Sequence, residues 1–344
     1  MGITIRDADL QADREEIIRF LHENLTADSD AARFDWLYFK NPFGRARAWM
    51  AVDTSGRMVG LAAAFPRFFS IAGTTQRTWV LGDFCFDRAY RSLGPALQLQ
   101  RLSLKSLTAD EHAICYDFPS QTMMSIYNRL GVRALGTHVR FVKMLSCDEK
   151  IQKLVSQRFL ARSLSRVGNW ALRFGQRPAY LPEGIELSRQ DREFGEEFTA
   201  MSSRAASLHP IKAAHSAAYL NWRYVHHPVK QFCSVAARRE SELLGYAVAE
   251  IDGRHSMLAE LHAADTTCLR PLLAYLELLL RDLNVFSIYT YVLQDCHLVP
   301  HLRRAGFHPR DGAPVIAYTS SASKWKIDIG DAKNWMLLLG DRDS

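Results

Sequence analysis

The sequence predicts a mixed α/β fold (an α+β mixed sheet) arranged as two tandem copies of one domain. Three observations carry that prediction: a long-range internal repeat, an alternation of strand-like and helix-like segments, and a strand that runs into a glycine-bearing turn at a helix start. Trp36, Tyr38 and Pro42 of the block 34–44 recur as Trp222, Tyr224 and Pro228, each 222 − 36 = 186 residues on. The hairpin pattern that follows, Trp49–Val52 with Met58–Ala63 across a Ser55-Gly56 turn, returns as Phe232–Ala237 with Leu243–Val248. Tyr127-Asn-Arg-Leu-Gly-Val132 is echoed by His301–Phe307 around Gly306. Three blocks in the same order at so long a spacing exclude a solenoid and point to duplicated domains.

Within the first copy, Ile3–Arg6 reads as a strand. Asp13–Asn24 reads as a helix, because Ile17, Ile18, Phe20 and Leu21 fall at near-helical spacing. The hairpin comes next, with Phe65–Ile71 continuing the sheet and Thr78–Phe86 forming a strong strand. Gly94–Ala109 is a helix, Ala113–Phe118 a strand, and Thr122–Leu130 a helix ended by Gly131 as its C-cap. Strand His138–Leu145 closes the copy. The expected division is a first domain over 1–146, a connection over 147–182 and a second domain over 183–344. The connection carries Lys153, Arg158, Arg162, Arg166, Arg173 and Arg177 with no acid from 151 to 182, beside an apolar side that includes Leu160, Leu164 and Trp170. Such a basic amphipathic helix could touch an anionic membrane through 151–177. A helix bridging two domains with a solvated basic face is the favoured reading.

Composition narrows the function. The chain has 344 residues, 48% hydrophobic and 23% charged, which excludes a disordered or low-complexity protein. Its net charge of +6 is too diffuse for nucleic acid, but it suits a phosphate-bearing ligand. Six scattered cysteines with no CxxC read as free thiols in a reducing compartment. No signal peptide and no long uncharged apolar run is present, so a cytoplasmic location is expected. No metal site is expected: His226 and His227 are adjacent and would diverge, Pro300 interrupts the turn between His297 and His301, and no HExxH occurs.

The chemical signal is the passage from Asp83-Phe84-Cys85-Phe86 to Arg91-Ser92-Leu93-Gly94-Pro95-Ala96. Free N–H groups at a helix start, favoured by the helix dipole, make an anion cradle. Gly94 lets the backbone approach a pyrophosphate, Pro95 suits the first helical turn, Ala96 keeps the approach small and Arg91 adds a fixed charge.

These residues resemble the pyrophosphate-binding motif of the GCN5-related N-acetyltransferase (GNAT) superfamily. The resemblance spans residues 3–145 and implies two GNAT-like domains, each a mostly antiparallel twisted sheet flanked by helices. It implies an acetyl-CoA or other acyl-CoA cofactor, with Phe84, Cys85 and Phe86 as the splayed strand beside the pantetheine. Tyr127 falls where the family places its general acid, at a Tyr-x-x-x-Gly-Phe that here ends in Val132. Ser120 is expected at the cofactor tail. Asp83 is the expected base, with Asp117 as its rival. Cys85 reads as a buried thiol, with no sequence context to mark an activating base. The Asn41–Gly44 block and the ending 334–343 are similar to a bacterial subgroup of long acyltransferase-like proteins, some of which accompany polysaccharide synthesis. The implied partner is an amine acceptor, a small molecule or a glycan precursor; a non-catalytic scaffold on the same fold is the alternative. The second copy has no Arg-x-x-Gly-x-Ala and no glycine from 254 to 305, so it reads as a degenerate domain.

Overall fold

A computed structural model describes residues 2–109, 113–147, 180–204, 209–320 and 325–343. The basic helix expected at 151–177 lies outside the described residues. The first half comprises β1 (Ile3–Asp7), α1 (Arg14–Asn24), α2 (Ala31–Phe34), β2 (Arg47–Asp53), β3 (Met58–Ile71), β4 (Thr74–Phe86), α3 (Leu93–Leu107), β5 (Ile114–Asp117), α4 (Gln121–Arg129) and β6 (Ala134–Met144). The second half comprises β7 (Ile185–Arg189), α5 (Glu196–Arg204), β8 (Ile211–Ala213), α6 (Ala217–Leu220), β9 (Gln231–Arg239), β10 (Glu242–Asp252), β11 (His255–Ala263), α7 (Leu269–Asp282), β12 (Ser287–Leu293), α8 (Leu298–Arg304), β13 (His308–Thr319) and β14 (Trp335–Met336).

One mixed sheet runs β1-β2-β3-β4-β5-β13-β6-β12-β11-β10-β9-β7, with β8 and β14 attached off that path. From either edge inward the two halves repeat: β1-β2-β3-β4-β5 is matched by β7-β9-β10-β11-β12. The last strand of each half then crosses over. β13 lies against β5, and β6 lies against β12, pairing Leu293 with His138 through to Ser287 with Met144. The strand expected at His138–Leu145 therefore exists, but it does not close its own copy. Its side chains belong to the other half: Phe141 and Leu145 are buried in the shared core, and the buried Lys143 ammonium meets Glu277 of α7 at 2.6 and 2.7 Å. In its own half Lys143 would be a buried charge without that partner, which is strongly unfavourable.

The duplicated Trp-x-Tyr motif sits where the halves meet. Trp36 Nε1 donates to the Trp222 carbonyl at 2.9 Å, and Trp222 Nε1 donates to the Trp36 carbonyl at 3.0 Å. The two indoles stack with centroids 4.6 Å apart and planes 16° apart. This reciprocity is that of an isologous two-fold contact, here within one chain. Both motifs adopt π-helical turns, Asp35–Phe39 and Asn221–Val225. One core runs continuously through both halves, joining Phe65 and Tyr116 to Tyr246 and Leu272. A separate core of the first half packs Leu99, Leu104 and Leu107 of α3 onto the sheet.

Candidate active site

β4 and β5 run parallel for three rungs, Thr78 with Ile114, Trp79 with Cys115 and Val80 with Tyr116. Beyond them the strands part. β4 continues along β3, with a register shift between Leu61 and Ala63 and a left-handed Asp83 (φ 46°) that mark a bulge. β5 ends at Asp117, and the chain turns through Pro119 into α4. The fork holds a cavity of about 640 Å³. Its walls include Gly82, Phe84, Cys85 and Phe86 of β4, Arg91, Ser92 and Leu93 of the turn, Ala96 of α3, and Asp117, Ser120 and Tyr127.

The cradle residues take up distinct roles. Ser92 is the extended N-cap of α3, and its hydroxyl caps nothing, so first-turn N–H groups are left for another partner. Gly94 and Pro95 stand just outside the cavity wall, and a Cβ on Gly94 would meet nothing within 4 Å. Arg91 folds back: its Nε donates to the Phe86 carbonyl at 3.0 Å and Nη2 to the Asn24 carbonyl at 3.4 Å. It pins the turn to β4 and keeps a positive charge at the rim. Ser120 caps α4 by accepting the Met123 N–H at 3.2 Å. Cys85 is buried, and burial pushes its thiol pKa up, which disfavours a thiolate nucleophile.

Tyr127 and Asp117 form a pair on the cavity wall. The Tyr127 hydroxyl donates to Asp117 Oδ2 at 2.7 Å, while the Phe118 N–H donates to Oδ1 at 2.7 Å. Burial raises the Asp117 carboxyl to about 7, against the lowering effect of the Tyr127 hydrogen bond. Burial and the Asp117 charge together raise the Tyr127 phenol well above its ordinary value.

Asp83 departs from expectation. It is absent from the cavity wall and belongs to a buried ion pair. Arg33 Nη1 and Nη2 reach its two oxygens at 3.0 and 2.7 Å, and the Tyr38 hydroxyl donates at 2.8 Å. The bulge at residue 83 aims this carboxylate away from the fork, so it is a structural anchor and not a free base. Asp117, its rival, lines the cavity.

Among the cavity residues not anticipated as part of the site are Arg342 and Asp343. The Arg342 guanidinium lies over the rings of Phe118 and Tyr291 at 5.2 and 5.1 Å. Asp343 lies so close to β4 that a Cβ on Gly82 would collide with its carboxylate. Burial, and then the charge of Asp83, push the Asp343 carboxyl upward. Arg223 holds this segment by donating to the carbonyls of Asp343 and Arg342 at 3.2 and 3.1 Å. The only sequence hint was Gly82, a residue without a side chain in the middle of an apolar strand.

No family model and no curated protein matches the chain. Solved structures do. A probable N-acyltransferase from Enterococcus faecalis V583 aligns with TM-score 0.66 at 12% identity, covering 94% of this chain and 73% of that one. A GCN5-related N-acetyltransferase from Anabaena variabilis gives 0.65 at 11%, covering 92% and 72%. Saccharomyces cerevisiae N-myristoyltransferase with bound myristoyl-CoA gives 0.56 at 13%, covering 92% and 82%. The chain thus has the mixed α/β fold of GCN5-related N-acetyltransferases. No described helix is long and apolar enough to cross a membrane.

Proposed function

We propose that the chain is an N-acyltransferase that moves an acetyl or other acyl group from acyl-CoA directly to an amine. One observation carries this reading: a single cavity brings together the unpaired edge of β4, the uncapped start of α3 and the Asp117–Tyr127 pair. In the proposal the pyrophosphate lies at the start of α3 beside Arg91, and the pantetheine follows the edge of β4 into the fork. Cofactor chemistry supplies the thioester. The chain supplies three things. Asp343 accepts the proton of the attacking amine. Backbone N–H groups of the open β4 edge hold the oxyanion. Tyr127 gives its proton to the departing sulfur, and Asp117 restores it. The products are an amide and free CoA thiol.

The acceptor class is narrowed by resemblance alone, through the Asn41–Gly44 and 334–343 blocks, to an amine on a sugar nucleotide or glycan precursor. The reducing cytoplasm is the proposed setting, since the described cysteines are all free.

Acetyl-CoA should raise the melting temperature by mass action. Gly94→Leu should leave the ligand-free melting temperature unchanged, because a side chain there meets nothing, and should remove the acetyl-CoA shift. Release of free thiol should appear with an amine panel. A wild-type chain with no shift for any acyl-CoA would end the proposal; a shift without thiol release would leave a cofactor-binding scaffold in its place.

A further inference from the structure

Glu260 of β11 is the second half's counterpart of Asp83. Each lies three residues past the last rung of its parallel pair, Met257 with Tyr289 and Val80 with Tyr116. Each accepts a hydrogen bond from the tyrosine of the repeated motif, Tyr224 or Tyr38. Their remaining neighbours differ. Asp83 is neutralised by a guanidinium, whereas Glu260 meets imidazoles. His262 Nε2 lies 2.7 Å from Oε2, and His215 Nε2 lies 3.6 Å from Oε1. His215 Nε2 is also 3.7 Å from Asp341 Oδ1. It is buried and makes no hydrogen bond. Among the described residues no lysine or arginine is within ion-pair distance of Glu260 or Asp341, although the Arg223 charge acts on Glu260 from further off and Lys212 on His215.

We propose that His215, Glu260, His262 and Asp341 form a binding site for one zinc-type divalent transition metal. The donor atoms of His215, Glu260 and His262 lie within 4.8 Å of one another. Metal–ligand bonds of about 2.0–2.2 Å place tetrahedral ligands about 3.3–3.6 Å apart, close to the His215 spacings and too long for hydrogen bonds. His262 Nε2 and Glu260 Oε2, at 2.7 Å, share a hydrogen bond that parts as the ion takes the place of its proton. A doubly charged ion balances two carboxylates while both imidazoles stay neutral. Imidazole donors favour a zinc-type ion over magnesium or calcium, which prefer oxygen. The ligands are themselves oriented. Tyr246 meets His215 Nδ1 at 3.1 Å, and the Leu338 N–H donates to Asp341 Oδ2 at 2.7 Å. Gly340 packs so tightly on Glu260 and Tyr224 that a Cβ would collide with both, so the site is closed and structural. The ion would clamp Asp341 to β11, two residues before Asp343. That last consequence rests on the proposed acyl transfer; the site itself does not.

The full chain, purified and dialysed against Zn²⁺, should hold one ion per chain by elemental analysis. Dipicolinate should lower its melting temperature, Zn²⁺ should restore it and Mg²⁺ should not. Loaded with Co²⁺, the wild type should show a visible ligand-field band that His215→Gln lacks. If that variant does not fold, the chelator and Co²⁺ arms on wild type decide alone. A chain with no ion above background, no chelator effect and no Co²⁺ band would overturn the site and leave His215 as a protonated imidazole between two carboxylates. None of these readouts involves acyl-CoA, so failure here and failure of the transferase reading are separable.

Discussion

The sheet forks twice, once between β4 and β5 and once between β11 and β12, and the two forks have opposite fates. Both open after three parallel rungs. The first encloses about 640 Å³. The second is packed by Leu258, Leu298, Leu302 and Leu338, with no water-sized volume left. Position by position the chemistry has been exchanged for packing. The residue after the last rung is Asp117 in the first fork and Thr290 in the second, where Thr290 Oγ1 is spent on the Leu258 carbonyl at 2.8 Å. The Tyr127 carbonyl accepts the Val132 N–H at 2.9 Å beside Gly131; its equivalent is Leu302, which accepts the Phe307 N–H at 3.0 Å beside Gly306. The two halves thus share the backbone fork, and only the first has the polar wall. The second half instead sends Arg342 and Asp343 across to complete the first.

The largest expected effect breaks the first half's anchor. Arg33→Ala strands Asp83, whose side chain is 1% exposed, and removing one partner of a buried pair costs about 3–5 kcal/mol. Chemical denaturation should show that loss, while surviving folded protein keeps a measurable kcat whose pH dependence shifts only through Asp343, which feels the charges of Asp83 and Arg33, because Asp83 itself does not line the cavity. Near-native stability with kcat abolished would return Asp83 to the chemistry and spoil the parallel with Glu260.

Next in size is a variant that copies the second fork into the first. Tyr127→Leu installs the residue found at 302 and removes the proposed acid, and Tyr127→Phe removes only the hydroxyl. Both should lower kcat by about 10²–10⁴-fold. Tyr127→Phe should keep the acetyl-CoA melting shift, since the ring stays in place. An unchanged kcat in both would mean that the open fork, not its polar wall, distinguishes the halves.

How much of this was legible follows from range. The repeat and the strand–turn–helix are local patterns that the fold contains, and Tyr127 lies on the cavity wall. The exchange of β6 and β13 was not legible, because a period-two pattern reports which faces are buried and not which strand lies alongside. Which of Asp83 and Asp117 lines the cavity was not legible for a similar reason. Each ends an apolar strand in the sequence, and only the bulge at 83 decides which carboxylate faces the fork. Asp343 was invisible because its neighbour Gly82 is far away in the chain. His215 and Glu260 are separated in the same way, and no short motif spans them.

The smallest effect tests the Asp117–Tyr127 pair through pH. With its proton on, Asp117 can donate to the Tyr127 oxygen and free the phenolic O–H for the sulfur; ionised, it holds that O–H to itself at 2.7 Å. Its carboxyl titrates at about 7, so the active form of the pair is lost as pH rises through that value. Asp117→Asn retains a hydrogen-bonding side chain that does not titrate. The ratio of wild-type to variant kcat should therefore be flat below about pH 6 and fall above 7, with titration of the acceptor amine cancelling between the two. Stability moves in the matching direction. A carboxyl raised in the folded state from 3.8 to about 7 makes the unfolded chain ionise first, so wild type loses stability relative to the variant as pH rises from about 4 to 7, then levels off. No counterpart at Thr290 titrates, so any pH dependence that survives Asp117→Asn in that window has to come from another group, with Asp343 the first to examine.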